Sequence, residues 1–296
     1  MSSVNKINVE PGPFIRWAGG KSKLAELIIS TFIDDFDVSK NRFFEPFVGS
    51  GAVSFQMGRH IIGKNLIIND VNPDLIITYK QIQTNLPELL KELKKLKNKI
   101  SEDEYYKVRN SQPSKEVQIA ARFIYLNKTS FNGLWRVNST GEYNVPFGKI
   151  KNPTIINQPL LEADSAFLKG AKIRKGSYTS AVNDAKEGDV VYLDPPYIPV
   201  NETANFSKYA QDDFLEIDQW ALAGAIKGLT SKGVKVILSN SDTALTDKIF
   251  GDILELRTLN VRRSIGASAE TRVMAKEILG FSYPPSGELI KSLTKK

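Results

Sequence analysis

The chain has 296 residues, and its 40 Lys and Arg against 33 Asp and Glu give a formal net charge of +7. It has no cysteine, which excludes disulfide frameworks, cysteine-ligated zinc and a thiol nucleophile. Its one histidine, His60, excludes multi-histidine metal centres, and we expect no metal. No apolar run approaches the ~20 residues of a membrane helix. The N-terminus lacks the apolar core of a signal peptide, so we expect a cytoplasmic protein without a membrane partner.

Positive charge is concentrated in the middle of the chain. Residues 1–74 carry 8 basic and 8 acidic side chains, residues 75–180 carry 18 and 9, and residues 181–296 carry 14 and 16. Clustered positive charge is typical of proteins that bind a polyanion. Part of it lies in an amphipathic stretch, residues 89–97, where the lysines would form a solvated helix face.

Strand and helix patterns alternate outside this basic segment. Short apolar runs predict parallel strands at 42–47, 65–69, 189–193, 234–239 and 253–261. Helical patterns occupy 23–32, 52–59, 213–229 and 243–250. The alternation favours a doubly wound α/β sheet.

The pattern changes between residue 71 and about residue 170. Helices are predicted at 73–82, 87–99, 102–109 and 114–127. A β-hairpin is predicted from strands 134–137 and 142–145, with Gly141 closing the turn. We therefore expect an α/β domain interrupted by a helical insert that bears a hairpin.

A glycine turn follows the first predicted strand. Gly49 and Gly51 would let the backbone approach a ligand at a helix N-terminus, although a purely structural turn has the same pattern. A dinucleotide-binding turn needs glycine where Ser54 stands. Asp70 ends the next strand, where a carboxylate can accept hydrogen bonds from ribose hydroxyls. The combination predicts a nucleoside site rather than a dinucleotide site.

The segment Gly19-Gly20-Lys21-Ser22 imitates the end of a phosphate-binding P-loop. That loop needs glycine where Ile15 stands, and no clear strand precedes it. We therefore do not expect an NTPase.

The most specific segment is Asp194-Pro195-Pro196-Tyr197, which follows an apolar strand. Prolines that merely end a strand are one interpretation. The other is a rigid pair of acceptors, the Asp194 carboxylate and the Pro195 carbonyl, beside the ring of Tyr197. An exocyclic base amine has two N–H donors on a flat ring, so this segment matches it chemically.

These motifs together resemble a known family. The leading segment 14–21, the Phe-Val-Gly-Ser-Gly turn at 47–51 and the Asp-Pro-Pro-Tyr segment occur in the order found in α-group amino-methyltransferases. These are S-adenosylmethionine-dependent DNA adenine-N6 enzymes of the Dam type, the D12 class. Segments 131–136 and 144–148 look like the target-recognition hairpin of that family, and segments 201–209 and 261–265 extend the similarity over nearly the whole chain.

The resemblance implies a Rossmann-like methyltransferase sheet in residues 1–74 and 171–296, with residues 75–170 as an inserted DNA-binding domain. It implies methyl transfer from S-adenosylmethionine to N6 of an adenine flipped out of duplex DNA, most simply in GATC. The implied catalytic residues are Asp194, Pro195, Pro196 and Tyr197. The implied cofactor-binding residues are Trp17, Ala18, Gly19, Lys21, Glu45, Pro46, Phe47, Gly49, Gly51, Asp70 and Asp194. A bacterial or phage origin and functional pairing with a restriction endonuclease are further implications.

The same resemblance gives the basic insert a DNA-reading role. The implied DNA-binding residues are Arg16, Lys128, Phe131, Asn132, Leu134, Arg136 and Pro146. Arg136 has the forked geometry that reads O6 and N7 of guanine in the major groove. Phe131 stands where the family often carries an aromatic wedge, although a core position under the hairpin is the alternative. Arg16 stands where Dam-type enzymes usually carry lysine, and the two side chains differ in geometry.

Further interpretations remain open at this point. Leu134 and Pro146 could contact thymine methyl groups, and Arg122, Lys128, Lys149 and Lys151 could contact phosphates. The acceptor turn would also serve a cytosine-N4 DNA methyltransferase or an adenine-N6 RNA methyltransferase. A non-enzymatic DNA-binding protein would use the basic insert alone, but this reading leaves Asp70 and the Asp194–Tyr197 segment unexplained.

Overall fold

The computed structural model describes residues 9–198, 214–262, 274–287, 290–291 and 293–296. Within them, strands form a single mixed sheet. They are β1 (Phe43–Glu45), β2 (Leu66–Asp70), β3 (Lys172–Lys175), β4 (Val190–Leu193), β5 (Lys235–Ser241), β6 (Glu255–Arg262), β7 (Met274–Phe281) and β8 (Thr294–Lys295).

The sheet has the order β3-β2-β1-β4-β5-β7-β6-β8. Strands β3, β2, β1, β4 and β5 pair in parallel, and β7 enters antiparallel between β5 and β6. The chain runs outward from β1 to β3 and then returns to the middle at β4. The sheet therefore reverses its order between β1 and β4, which is where open α/β sheets bind ligands.

Ten α-helices are seen in the described part of the chain, besides three short 3-10 helices. They are α1 (Ala25–Ser30), α2 (Ala52–Met57), α3 (Pro73–Thr84), α4 (Leu86–Leu96), α5 (Glu102–Asn110), α6 (Glu116–Thr129), α7 (Gln158–Leu168), α8 (Tyr178–Ala181), α9 (Glu216–Thr230) and α10 (Ala244–Phe250). None of the helices in these ranges combines the length and apolarity that crossing a bilayer requires.

Local sequence explains where several helices begin. Asn72 caps α3, since its side-chain oxygen accepts the backbone N–H of Leu75 at 3.0 Å, and Pro73 occupies the first turn, where no N–H is needed. Ser101 and Thr243 cap α5 and α10 in the same way. The caps at Asn72 and Thr243 fix the turns that follow strands β2 and β5.

The predicted α/β class and the Rossmann-like sheet are confirmed, and all five predicted strands exist. The expectation that 253–261 forms a parallel strand is wrong, because β6 pairs antiparallel with β7 and β8. Strands β3, β7 and β8 and helices α7 and α8 were not predicted. Three basic residues grouped with the basic middle segment, Lys172, Arg174 and Lys175, therefore lie on strand β3 of the sheet. The helix predicted at 213–229 begins at Glu216, and residue 213 lies outside the described residues.

The predicted hairpin is shorter than expected. Its strands reduce to one antiparallel bridge between Val137 and Tyr143, closed by a hydrogen bond from Asn138 N–H to the Glu142 carbonyl at 2.8 Å. Gly141 has φ of +79°, as a turn of this kind requires. One hydrophobic core runs from the sheet through α3 into α4, α5 and α6. The division into domains at 75–170 remains a prediction.

Candidate active site

The site lies where the sheet reverses its order. Strand β1 ends at Glu45 and its neighbour β4 ends just before Asp194, so the turns after these two strands face each other. Parallel strands end at the same edge, which brings together segments about 150 residues apart in the sequence.

The glycine turn packs tightly under Trp17. Gly49 has φ of +46°, and a Cβ there would lie 2.5 Å from Cδ1 of the Trp17 indole, so only glycine fits. Asp70 anchors the same turn by accepting the Gly49 N–H at 3.1 Å, and it also accepts the Asn72 N–H at 3.0 Å. Trp17 and Asp70, both predicted from sequence, thus meet at Gly49.

Glu45 holds helix α2 to the end of β1. Its carboxylate accepts the backbone N–H of Ser54 at 2.9 Å and the Ser54 hydroxyl, and its side chain is buried. Burial raises the pKa of Glu45 to about 8 although the Ser54 hydrogen bonds oppose the shift. Ser54, which replaces the dinucleotide-type glycine, is therefore the partner that a buried Glu45 requires.

Lys21 and Asp194 form an ion pair in the floor of the site. Lys21 Nζ lies 3.0 Å from Asp194 Oδ1 and donates to the Gly19 carbonyl at 2.6 Å. The Lys21 side chain is 5% exposed, so it is not a surface lysine. Burial raises the pKa of Asp194, and the Lys21 ammonium opposes that shift. Within the described residues, Asp194 Oδ1 has this charge partner but no aligned hydrogen-bond donor.

The loop after Asp194 is held from behind by two buried polar residues. Gln219 on α9 donates to the Pro196 carbonyl at 2.9 Å, and Asn240 on β5 accepts the Ile198 N–H at 3.1 Å. Asn240 also donates to Gln219 at 3.2 Å. The Pro196 carbonyl thus already accepts a hydrogen bond from α9, whereas no donor from the described residues reaches the Pro195 carbonyl.

Tyr197 is fixed at its far end by a residue that sequence reasoning missed. Its hydroxyl donates to the Glu277 carboxylate at 3.1 Å, and the Lys21 ammonium lies 4.8 Å from the ring centroid. Burial and then the charge of Asp194 raise the pKa of Tyr197 well above its usual range, so the phenol keeps its proton. The ring is therefore a neutral aromatic surface between two charged groups.

Phe47 belongs to an aromatic group on the other side of the glycine turn. Its ring stacks on Tyr178 with centroids 5.4 Å apart and meets Phe214 edge-on at 6.0 Å. The Pro46 carbonyl accepts a hydrogen bond from Asn69 at 3.0 Å. Ala18 is exposed, beside Gly19 with φ of +76°.

Arg16, from the N-terminal segment, meets the predicted insert at Asn127. Asn127, fully buried, accepts the Arg16 N–H at 2.9 Å and donates to the carbonyls of Arg16 and Gly133 at 2.7 and 2.9 Å. A Cβ on Gly133 would lie 2.9 Å from the Arg16 Cδ. These contacts hold the backbone of Arg16, which precedes the glycine-rich segment, beside the Phe131–Gly133 turn. Asn127 was not predicted.

Phe131 is 43% exposed, which excludes the core position under the hairpin. Asn132 next to it adopts φ of +55°. Burial, and then the charge of Arg16, lower the pKa of Lys128 to about 8, so two cations share one partly desolvated surface. Leu134 is half-buried and Pro146 is exposed. A surface with two cationic side chains beside an exposed aromatic ring suits a nucleic acid, whose phosphates are negatively charged and whose bases can stack on the ring.

Arg136 projects from the hairpin with its guanidinium oriented by a neighbour. Its Nε donates to Asn144 Oδ1 at 2.7 Å across the two hairpin arms. In the described part of the chain, no carboxylate pairs with Arg136.

The same part of the chain holds no group of three or more potential metal ligands.

Comparison with known proteins places this geometry in a family. Residues 17–265 match the model of the D12 class N6 adenine-specific DNA methyltransferases. The chain is 37% identical to the type II methyltransferase M1.LlaDCHI of Lactococcus lactis subsp. cremoris, over 94% of this chain and 97% of that protein. It is 36% identical to the type II methyltransferase M.MjaIII of Methanocaldococcus jannaschii, over 89% and 96%. It is also 33% identical to the DNA adenine methylase of Escherichia coli K12, over 92% and 95%. The chain therefore belongs to the D12 class of N6 adenine-specific DNA methyltransferases.

Proposed function

We propose that this enzyme transfers a methyl group from S-adenosylmethionine to N6 of an adenine flipped out of duplex DNA, with GATC as the target. The observation that carries the proposal is the acceptor pair at the end of β4. Asp194 Oδ1 has no aligned donor and the Pro195 carbonyl accepts none from the described residues, while Tyr197 stands beside them. An exocyclic amine would offer one N–H to each of these two acceptors.

The residues around the glycine turn suit S-adenosylmethionine by their chemistry. Lys21 offers an ammonium for a carboxylate, Asp194 a carboxylate for an amino group, and Asp70 a carboxylate for ribose hydroxyls. Phe47 with Tyr178 offers an aromatic wall for a base. The remaining residues would shape the turn: Trp17, Ala18, Gly19, Glu45, Pro46, Gly49 and Gly51. The cofactor, when bound, supplies a methyl group on an electrophilic sulfonium.

The protein's part in the reaction is alignment and charge stabilisation. Adenine N6 is a weak nucleophile, because its lone pair is conjugated into the ring. Asp194 and the Pro195 carbonyl would accept its two hydrogens and turn that lone pair out of the ring plane. Tyr197 would stack on the base. Asp194 Oδ1, with its raised pKa, can take the proton that N6 loses after the transfer.

The insert would supply the reading of the sequence. Arg136, oriented by Asn144, would contact one guanine of GATC, and Arg16 would contact the other. Phe131 would enter the base stack and stabilise the flipped state. Lys128 would contact the phosphate backbone, with Asn132, Leu134 and Pro146 beside it.

The decisive experiment is single-molecule sequencing of unmethylated DNA after treatment with the purified protein, because it reports base, position and motif together. We expect N6-methyladenine in GATC. Modification at cytosine N4, or at another motif, would contradict the corresponding part of the proposal. Calorimetry with S-adenosylmethionine tests the cofactor separately, and absence of binding would refute it.

We extend the proposal to a functional pairing with a restriction endonuclease. Two of the relatives named above are type II methyltransferases, whereas the third is named DNA adenine methylase. DNA methylated by this protein should then resist an endonuclease that cuts unmethylated GATC. Full cleavage of the methylated DNA would contradict the protective role.

A further inference from the structure

Glu277 is a buried carboxylate beside the proposed reaction centre. It lies on β7, opposite Ser241 of β5, and is 7% exposed. Its Oε2 accepts the Tyr197 hydroxyl at 3.1 Å, a contact between residues 80 positions apart. Glu277 also acts on Asp194, whose pKa it raises in addition to the larger effect of burial.

The packing of strand β7 does not require an acidic side chain at position 277. Leu279 and Phe281 follow on the same face of β7 and are both almost fully buried in the core. A buried carboxylate is costly compared with an apolar side chain, particularly beside a second carboxyl group, that of Asp194. The cost is offset if Glu277 makes a contact that an apolar residue cannot make.

The Tyr197 hydroxyl also interacts with the Asp194 carboxylate, but its aligned hydrogen bond is the one to Glu277 on the sheet. Gln219 and Asn240 fix the backbone on either side of Tyr197, but they leave its side-chain torsions free. Lys21 lies over one ring face and restricts the ring without orienting the hydroxyl end. The hydrogen bond to Glu277 holds that end and so sets the plane of the ring.

We propose that Glu277 is a positioning residue for methyl transfer, which holds the Tyr197 ring in the plane on which the flipped adenine stacks. This inference rests on the proposed function. Because the acceptor atoms of Asp194 and Pro195 are fixed by the loop, a tilted ring would carry N6 away from them. Glu277 thus acts on the rate of transfer through Tyr197 and touches neither DNA nor cofactor.

The test compares Glu277→Leu, which removes the acceptor, with Glu277→Gln, which keeps an acceptor oxygen without the charge. We expect Glu277→Leu to lower the single-turnover rate about 10-fold or more, with the Kd values for DNA and S-adenosylmethionine within about 2-fold of wild type. Glu277→Gln should transfer at close to the wild-type rate. With 2-aminopurine as the target base, Glu277→Leu should broaden the distribution of fluorescence lifetimes.

Thr31→Val is the matched control, because it removes the partner of another tyrosine hydroxyl, that of Tyr283, 3.0 Å away and outside the site. It should leave rate and lifetimes unchanged. If Glu277→Leu does not yield folded protein, Tyr197→Phe removes the same hydrogen bond from the other side and should broaden the lifetimes alike.

A wild-type rate of methyl transfer in Glu277→Leu would overturn the inference. Equal losses of the rate and of the affinities for DNA and S-adenosylmethionine would also overturn it. So would a Glu277→Gln variant that transfers as slowly as Glu277→Leu. Unchanged lifetimes in the variants would also overturn it. If the wild-type protein methylates no adenine in DNA, the proposed function fails. The lifetimes in bound DNA still decide whether Glu277 orients Tyr197.

Discussion

The hydrogen-bonding and proton-binding properties of Asp194 follow from its burial and from the charges around it. One ammonium, Lys21, lies against it, while Glu277 adds negative charge nearby. A carboxylate in such a setting is a strong hydrogen-bond acceptor that also takes up a proton readily. Both properties suit a group that faces an amine about to lose a hydrogen.

Replacing Asp194 with alanine should therefore reduce methyl transfer by at least about 100-fold, the usual cost of removing one preorganised polar contact to a transition state. DNA affinity should stay within a few-fold of wild type, because the residues proposed to read DNA lie outside the Asp194–Tyr197 segment. Transfer of a labelled methyl group and fluorescence anisotropy with duplex DNA measure the two effects. Asp242→Ala, at the end of the neighbouring strand β5, is the control and should remain active. Near-wild-type transfer by Asp194→Ala would refute the assignment.

Arg136 carries the prediction about sequence reading. Arg136→Ala should relax discrimination at one base pair by ~1–3 kcal/mol, because a bidentate contact with guanine is lost. Methylation rates on GATC and on duplexes changed at one position measure this discrimination. Lys151→Ala is the control, since the loss of a phosphate contact would weaken binding to all DNA sequences alike. If discrimination at every position is unchanged in Arg136→Ala, its reading role is wrong.

At the scale of elements, helix α6 joins the two halves of the site. Its Phe123 stacks on Trp17 with centroids 6.3 Å apart and packs at a tilt against Trp135 at 4.1 Å, and Trp135 in turn meets Tyr143 at 4.7 Å. Trp17 covers the glycine turn, and Trp135 and Tyr143 belong to the hairpin. A continuous row of rings thus connects the proposed cofactor pocket to the proposed DNA-reading hairpin.

Phe123→Leu should weaken the binding of both ligands, since both tryptophans lose their common stacking partner. We expect a stability loss of about 1 kcal/mol, together with lower affinity for S-adenosylmethionine and for DNA. Calorimetry and anisotropy give the affinities. Phe32→Leu is the matched control, because Phe32 stacks on Phe43 at 5.9 Å away from this row. Its affinities should not change. Weaker binding of one ligand alone in Phe123→Leu would show that the row does not join the two sites.

Elements with a strong local signal were predictable from the sequence. The apolar run of β4 and the prolines after it identify both the strand and the acceptor turn. Strand β3, with the sequence Lys-Ile-Arg-Lys, was missed because it is an edge strand whose exposed side chains hide the apolar period. Glu277 was missed for another reason: its partner Tyr197 lies 80 residues earlier, in the loop after β4, and only the tertiary fold brings the two together.

At the scale of the whole molecule, Glu45 and Asp164 are two buried carboxyl groups that accept hydrogen bonds from neighbouring segments. Glu45 supports the glycine turn, and Asp164 on α7 accepts the Gly12 N–H at 2.9 Å, which ties the N-terminal segment to the core. Asp164 is fully buried, and its Oδ2 has no hydrogen-bond partner among the described residues. Burial raises the pKa of Asp164 to about 8.

These raised pKa values predict how stability depends on pH. The unfolded chain releases the proton of Asp164 near pH 4, whereas the folded protein keeps it until about pH 8. Between these values the folded state binds the extra proton, so its stability falls as pH rises, by at most about 1.4 kcal/mol per pH unit for each such group. Glu45 contributes in the same direction.

Asp164→Asn should therefore flatten the fall of stability between pH 5 and pH 8, since the amide can still accept the Gly12 N–H but no longer titrates. Urea unfolding midpoints across this range measure the slope. Asp37→Asn is the control: hydrogen bonds from Ser39 and Lys40 hold the pKa of Asp37 below its usual range, so it is ionised in both states above pH 5. Parallel slopes in wild type and Asp164→Asn would mean that Asp164 is ionised in the folded protein. The N-terminal segment that carries Trp17 to the site would then be anchored by a buried charge.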